Sequence, residues 1–386
     1  MPNHRLENSS RLDLAPDPQA AADSVSVPRW FFERSQGVQE SGTVLLHAPS
    51  AAFQAPGGGE NQLLRTAWHL DAQGVPVRPF SPWSDRLEGA RLLHLFGMSQ
   101  EGLELARIAN ARRVPVVLSP ICWFEPRAIA ALATNRLQRA GDLARWGLRR
   151  LVPGLPGWRR ELLRRANAIL PNSRAEADQL VRLFSADRGK IRVVPNGVEP
   201  RFALADPAPF RSVCPHEDFV LYVGRIEPRK NVLNLVRAIR KLPIPLVVIG
   251  DVVPGHEAYE TACRREGGDR VSWLARLDHD DPRLSAAYAA ARVFALPSWF
   301  ETPGLAALEA ALAACAIVIT PYGCTREYFE NNAAYVDPGN PWEIARGMAQ
   351  AWERGGSTGL AENVLARYLW SDVARRTAEV YDEVAP

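Results

Sequence analysis

The chain has 386 residues, enough for two domains of ordinary size, with 47% hydrophobic and 23% charged residues and a net charge of +3. That balance fits a soluble globular protein and argues against a nucleic-acid partner, and no apolar run reaches the length of about 18 residues that predicts a membrane span. The five cysteines (Cys122, Cys214, Cys263, Cys315 and Cys324) are odd in number, widely spaced and without a CxxC pair. This argues against a disulfide framework or a zinc site and predicts a reducing, cytoplasmic setting.

Residues 1–40 are mostly polar, lack the apolar core of a signal peptide and are expected to form a disordered tail. From residue 41, strand and helix patterns alternate. Residues 43–49 (TVLLHAP) read as a strand, followed by a glycine loop and a helix over 62–73. Residues 75–80 and 90–97 read as strands, 101–113 as a helix, and 114–120 (VPVVLSP) as a buried strand. A long basic helical region spans 127–166, a strand 166–173, a helix 174–184, and a closing strand 191–198. Residues 201–215 hold several prolines with little periodicity and are the expected linker.

A second alternation follows. Strands are expected at 219–225, 244–251, 270–276, 291–298, 316–321 and 333–338, with helices at 231–241, 257–266, 284–291, 303–314, 325–329, 342–353 and 372–384. Such alternation predicts an α/β protein with two Rossmann-like, doubly wound parallel-sheet domains, over 41–200 and 216–368, facing a central cleft. Residues 369–386 are expected to form a terminal helix that crosses back to the first domain.

The chemistry-bearing residues cluster at the ends of these strands. Glu301 and Glu309 flank a strand-to-helix junction, VFALPSWFETPGLAALEAALA. Thr302 is expected to cap the helix and Pro303 to fill its first position, with Glu309 about two turns along. First-turn N–H groups can hold a phosphate oxygen, Gly304 permits close approach, and the two carboxylates can accept hydrogen bonds from polyols at either end of a diphosphate. A favourable helix-dipole contact with one solvated glutamate fits the same spacing. The loop Pro56-Gly57-Gly58-Gly59-Glu60-Asn61 can bring backbone N–H groups onto a phosphate or sugar, or simply form a tight turn. In Gly224-Arg225-Ile226-Glu227-Pro228-Arg229-Lys230-Asn231, Arg225 and Lys230 can converge on one anion, or form a solvated charged loop.

Asp278-His279-Asp280-Asp281 imitates a metal-binding DxD but reads as a helix-capping loop. His94 is expected to be a core or surface histidine. Residues 136–165 carry nine arginines against Asp142 and Glu161, interleaved with Trp146, Leu148, Leu151, Val152, Leu155 and Trp158, and Pro153 and Pro156 split the stretch into two helices. A basic amphipathic surface of this kind suits an anionic membrane, although a solvated face over a helical layer has the same pattern.

The segment from 219 to 337 resembles the carboxy-terminal half of the group 1, family 4 retaining glycosyltransferases, which have the GT-B fold. The resemblance rests on YVGRIEPRKN, VVIGD, LPSWFETPGLAALEA, GCTREYF and VDPGN; Asn196-Gly197-Val198 and Gly57–Glu60 extend it toward the amino terminus. It implies a hexosyl donor carried on a nucleotide diphosphate, a glycan or lipid-linked acceptor, and no cofactor or bound metal. By the same resemblance Arg225 and Lys230 neutralise the departing diphosphate, Glu301 binds donor-sugar hydroxyls, and Glu309 binds the ribose. Gly58, Gly59, Thr302, Gly304 and Leu305 complete the donor site. Glu301, Arg225 and Lys230 are the residues expected closest to the chemistry. Two departures stand out. Ser119-Pro120-Ile121-Cys122-Trp123 lacks the histidine that many members carry there, and Ala313-Ala314-Cys315-Ala316 replaces a Gly- and Pro-containing turn. They motivate an alternative, a catalytically weak binding subunit of the same fold, and a phosphorylase or epimerase is a third reading.

Overall fold

Short apolar runs with no polar alternation can be satisfied only inside a sheet covered on both faces. The chain, described as a computed structural model at residues 30, 31, 33, 39–54, 56–152 and 157–386, uses them in this way. The first sheet comprises β1 (Val44–His47), β2 (Val77–Pro79), β3 (Leu92–Phe96), β4 (Val116–Ser119) and β5 (Ala168–Ile169). Its five strands lie in the order β2-β1-β3-β4-β5 and pair in parallel, with Leu45 opposite Leu93 and Leu93 opposite Val116. Pro79 is accommodated because β2 is an edge strand.

The second sheet comprises β6 (Val220–Val223), β7 (Leu246–Ile249), β8 (Val271–Leu274), β9 (Val293–Leu296), β10 (Ala316–Ile319) and β11 (Ala333–Tyr335). Its six strands are all parallel in the order β11-β10-β9-β6-β7-β8. Chain order reverses between β1 and β3 in the first sheet and between β6 and β9 in the second. In open α/β sheets a ligand crevice opens at such a switch point, beyond the carboxyl ends of the strands.

The two units are joined twice. Between them, Phe202 and Phe210 of the proline-containing 201–215 segment are buried in the second unit's core. The terminal helix Trp370–Val384 instead contributes Trp370, Val373, Ala374 and Tyr381 to the core beneath β1 and β3. Where the two crossings meet, Val198 N–H donates to the Tyr368 carbonyl at 2.7 Å.

Local differences from the sequence expectations have identifiable causes. The strand expected at 166–173 shrinks to Ala168–Ile169 because Pro171 follows. Residues 191–198 make only two isolated bridges, Ile191 to Ile169 and Val198 to Leu369, since Pro195 between them lacks a ladder N–H. The helix expected to begin at Pro303 begins at Leu305, after a cis Thr302–Pro303 peptide, and Gly304 rather than Thr302 is its N-cap, at φ 93°. A helix at Thr358–Arg367 was not expected. The basic region forms Pro126–Leu132, Arg136–Leu151 and Gly157–Arg165; the break expected at Pro153 and Pro156 lies outside the described residues. So does most of the tail expected to be disordered, but Phe31 is buried and Trp30 meets Trp68 edge-on, so contact with the first unit begins before residue 40.

Candidate active site

Three loops at strand ends converge on a cleft of about 600 Å³. The glycine loop follows β1 and opens the helix Gly58–Ala72; Gly57 N–H donates to Glu60 Oε2 at 2.7 Å. Opposite it, the Gly224–Asn231 loop leaves β6, and the Ser298–Gly304 loop leaves β9 to enter the helix Leu305–Leu312. The walls approach closely. A Cβ on Gly57 would lie 3.2 Å from the Arg225 guanidinium carbon, and one on Gly58 would lie 3.9 Å from Leu305 Cδ1. Gly57 is therefore small because the guanidinium lies against its backbone. Gly304, Leu305 and Ala306 line the cleft, and first-turn N–H groups have no intrahelical acceptor.

Of the residues expected to bind a donor, Gly58, Gly59, Arg225, Lys230, Glu301, Thr302, Gly304, Leu305 and Glu309 all line this one cleft. Their pairing differs from the simple convergence of two cations. Arg225 and Arg229 each donate to Glu227 Oε1 at 3.1 Å. Lys230 Nζ instead donates to Glu301 Oε1 at 2.7 Å, with only 15% and 5% of the two side chains exposed. Burial lowers the Lys230 pKa against the pull of Glu301. For Glu301 burial acts upward, but Lys230 and Arg229 outweigh it and hold the carboxyl below its ordinary range. An ammonium has three donors, so Lys230 can keep Glu301 and still meet a phosphate oxygen.

Glu309 lies just over one turn into its helix, nearer the loop than the expected two turns. It is buried, accepting from Tyr288 OH at 2.7 Å and from His279 Nε2 at 2.8 Å. Burial raises its pKa, yet His279 and Tyr288 carry the balance downward. A carboxylate offers about four lone-pair sites, so both oxygens remain available to a diol.

Sequence reasoning missed three wall residues. Arg229 lines the cleft beside Arg225, with its guanidinium 5.3 Å from the Phe300 ring centre. Asn196, of the Asn196-Gly197-Val198 segment, lines it with a buried side-chain oxygen that has no hydrogen-bond partner among the described residues. His279 was set aside with its capping loop. Asp281 does cap the helix Pro282–Ala290, but His279 faces the cleft; its neighbour in the sequence gave no sign of that. His94 is a core residue, bonded to Tyr381 and Ser119. In the segment without the expected histidine, Ile121 and Trp123 line the cleft, while burial pushes the Cys122 thiol up to about 12, leaving it inert. Among the described residues, no group of three or more His, Cys, Asp or Glu could hold a metal ion.

Comparisons with known proteins agree with this picture. The family described as glycosyl transferases group 1 matches residues 212–363, and the glycosyl transferase 4-like domain matches residues 33–197. The chain is 26% identical over 235 residues to an uncharacterized glycosyltransferase of Methanocaldococcus jannaschii, covering 55% of this chain and 59% of that one. It is 31% identical over 242 residues to D-inositol 3-phosphate glycosyltransferase 2 of Catenulispora acidiphila, covering 56% of each. The match thus spans less than two thirds of either relative's length. Among solved structures it is similar to sucrose-phosphate synthase from Thermosynechococcus elongatus, with a TM-score of 0.72 at 20% identity over 89% of this chain and 99% of that one. It is also similar to HepE of Anabaena in complex with UDP and glucose, with a TM-score of 0.66 at 18% identity over 89% and 100% of the two chains. At these identities the likeness speaks for the fold, two parallel-sheet α/β units in the GT-B arrangement.

Proposed function

Since the chain belongs to the group 1 glycosyltransferases, we propose that it moves a hexosyl group, with retention, from a nucleotide-diphosphate sugar to a glycan or lipid-linked acceptor in glycoconjugate synthesis. One observation carries this reading. Three cations (Arg225, Arg229 and Lys230) and two buried carboxylates (Glu301 and Glu309) line one cleft between two helix starts. In the proposed reaction the bond from the anomeric carbon to the diphosphate oxygen breaks, and its electron pair leaves with the phosphate. Arg225 and Lys230 stabilise that developing charge, which gives the leaving group its electrostatic support without a metal. The acceptor oxygen bonds to the anomeric carbon on the same face, and its proton passes to the departing phosphate oxygen. Glu301 accepts from sugar hydroxyls and opposes the positive charge at the anomeric carbon, while Glu309 accepts from the ribose diol.

The binding-subunit alternative is not favoured, because the cations and both carboxylates are all retained. The test is transfer and donor hydrolysis across a panel of UDP-, GDP- and ADP-sugars, in EDTA, with the product anomer read by NMR. Transfer with retention is expected. Lys230→Ala and Glu309→Ala should each lose donor binding, and unchanged binding in both would overturn the site assignment.

The basic helices supply a second partner, an anionic membrane surface on which a lipid-linked acceptor would be met. Among the described residues no helix is long and apolar enough to cross a membrane, so the association would be peripheral. The helix Arg136–Leu151 supports it, since none of its side chains is buried.

A further inference from the structure

The sequence Asp278–Asp281 does more than cap a helix. His279 Nε2 lies 2.8 Å from Glu309 Oε1 on one side. On the other, His279 Nδ1 lies 2.7 Å from Arg65 Nη2 and 2.9 Å from Arg201 Nη2. Arg65 belongs to the helix Gly58–Ala72 of the opposite unit, and Arg201 to the segment joining the units. The same two guanidinium groups grip Asp280 Oδ1, each at 2.7 Å. Arg65 is also 3.6 Å from Glu199, which pairs with His69 at 3.1 Å. Arg65 itself is not a wall of the cleft; its route to Glu309 runs through the imidazole.

The hydrogen bonds fix the proton. Guanidinium groups only donate, so Nδ1 must offer a lone pair, and Nε2 carries the hydrogen given to Glu309. Burial opposes charge on this ring, while Glu309 and Asp280 raise its pKa above the ordinary value. A proton on Nδ1 would therefore be held readily by the carboxylates, but it would point at two N–H donors. The ring also meets Phe202 edge-on, and Tyr288 reaches it only through Glu309.

We propose that His279 is a positioning residue through which Arg65, reaching across from the first unit, holds the donor-anchoring carboxylate of Glu309 in its accepting orientation, so that closure of the cleft and donor affinity are coupled. The proposal rests on the reading of Glu309 as a nucleotide anchor. Closed, Nδ1 accepts from the two arginines while the Nε2 hydrogen stays on Glu309. Acidification protonates Nδ1, expels Arg65 and Arg201, and loosens the closure.

The experiment is titration of the full chain with UDP, GDP and ADP between about pH 5.5 and 8, combined with small-angle scattering of the unliganded protein over the same range. Arg65→Ala should weaken nucleotide binding by about tenfold although it does not line the site, and this penalty should vanish in a His279→Gln background. Glutamine keeps an N–H toward Glu309, but its carbonyl oxygen is displaced from the Nδ1 position at which the two arginines converge. The wild-type radius of gyration should rise on acidification, and that of His279→Gln should be pH-independent. His279→Asn, which keeps an acceptor at the Nδ1 position, should retain the closed radius while losing affinity. Binding in the wild type with no effect of Arg65→Ala, or an undiminished effect in His279→Gln, would overturn the coupling alone. Failure of the wild type to bind any of the three nucleotides would overturn the anchor reading and the coupling with it.

Discussion

At the scale of single residues, the Lys230–Glu301 pair decides how the site can be probed. Both groups are nearly buried, so removing one leaves an uncompensated charge that costs roughly 3–5 kcal/mol, whereas removing both leaves two neutral side chains. Lys230→Met and Glu301→Gln should each lower unfolding stability by that order. The double variant should be more stable than the sum of the two losses implies, which urea unfolding of the four proteins will measure. Independent losses that simply add would contradict the pairing. Under the proposed reaction Glu301→Gln should also lower kcat more than it raises KM, since its carboxylate would face charge that develops only in the transition state. The same pair shows where sequence reading stops. That Arg225, Lys230, Glu301 and Glu309 share one cleft was legible because each sits near a strand end or helix start, in segments that resemble the group 1 family. Their partners were not, because Glu227 against Glu301 as the acceptor for Lys230 is settled by packing after the loops fold. His279 was hidden for the same reason. A histidine in a polar capping loop has no signal of its own, and only the folded approach of Glu309 and Arg65 gives it a role.

At the scale of elements, the terminal helix is the joint on which the arrangement of the two units depends. Gly197 has no room for a side chain, since a Cβ there would lie 2.7 Å from the Trp370 backbone nitrogen and 2.8 Å from its ring. Gly197→Ala should push the helix Trp370–Val384 off the first unit and lower the melting temperature by several degrees, on the order of 2 kcal/mol. Retained wild-type stability would show that the helix shifts at no cost. Farther along that helix, Tyr381 OH lies 2.6 Å from His94 Nδ1, and Ser119 Oγ lies 2.9 Å from its Nε2. Burial drives the His94 pKa down to about 3. The folded protein therefore needs a neutral imidazole. The contribution is complete above the unfolded value near 6.5 and is lost as pH falls toward 3, at about 1.4 kcal/mol per pH unit. His94→Asn should have lower stability at pH 7 but a flatter acid limb in equilibrium unfolding. An acid limb as steep as that of the wild type would assign the loss to other groups. The alternation of elements was readable from apolar runs and turn residues. The two-residue β5 and the Leu305 helix start were not, because Pro171 and Pro303 act through backbone geometry that periodicity does not encode.

At the scale of the whole molecule, the unexplained surface is the basic helix of the first unit. A helix in a globular protein ordinarily buries a stripe, yet Arg136–Leu151 buries none of its sixteen residues. Leu137 is 87% exposed and Leu151 82%, with Arg136, Arg139, Arg145 and Arg150 exposed around them. Apolar side chains set among arginines match the interface of an anionic bilayer, where each basic charge near the surface contributes about 1 kcal/mol and each exposed leucine can insert. This surface lies on the unit that contributes Ile121 and Trp123 to the cleft wall, so under the proposed function a lipid-linked acceptor would be met where the protein sits. Cosedimentation with vesicles containing about one third anionic lipid should retain the wild-type chain at low salt and release it as ionic strength rises through the range that shortens the Debye length below about 8 Å. Replacing Arg139, Arg145 and Arg150 together by Glu should abolish retention, and Leu137→Ser with Leu151→Ser should weaken it while leaving its salt dependence intact. Neither variant touches the cleft, so nucleotide binding should be unchanged in both. Equal retention of the arginine variant would mean that the helix is covered by something other than a charged membrane.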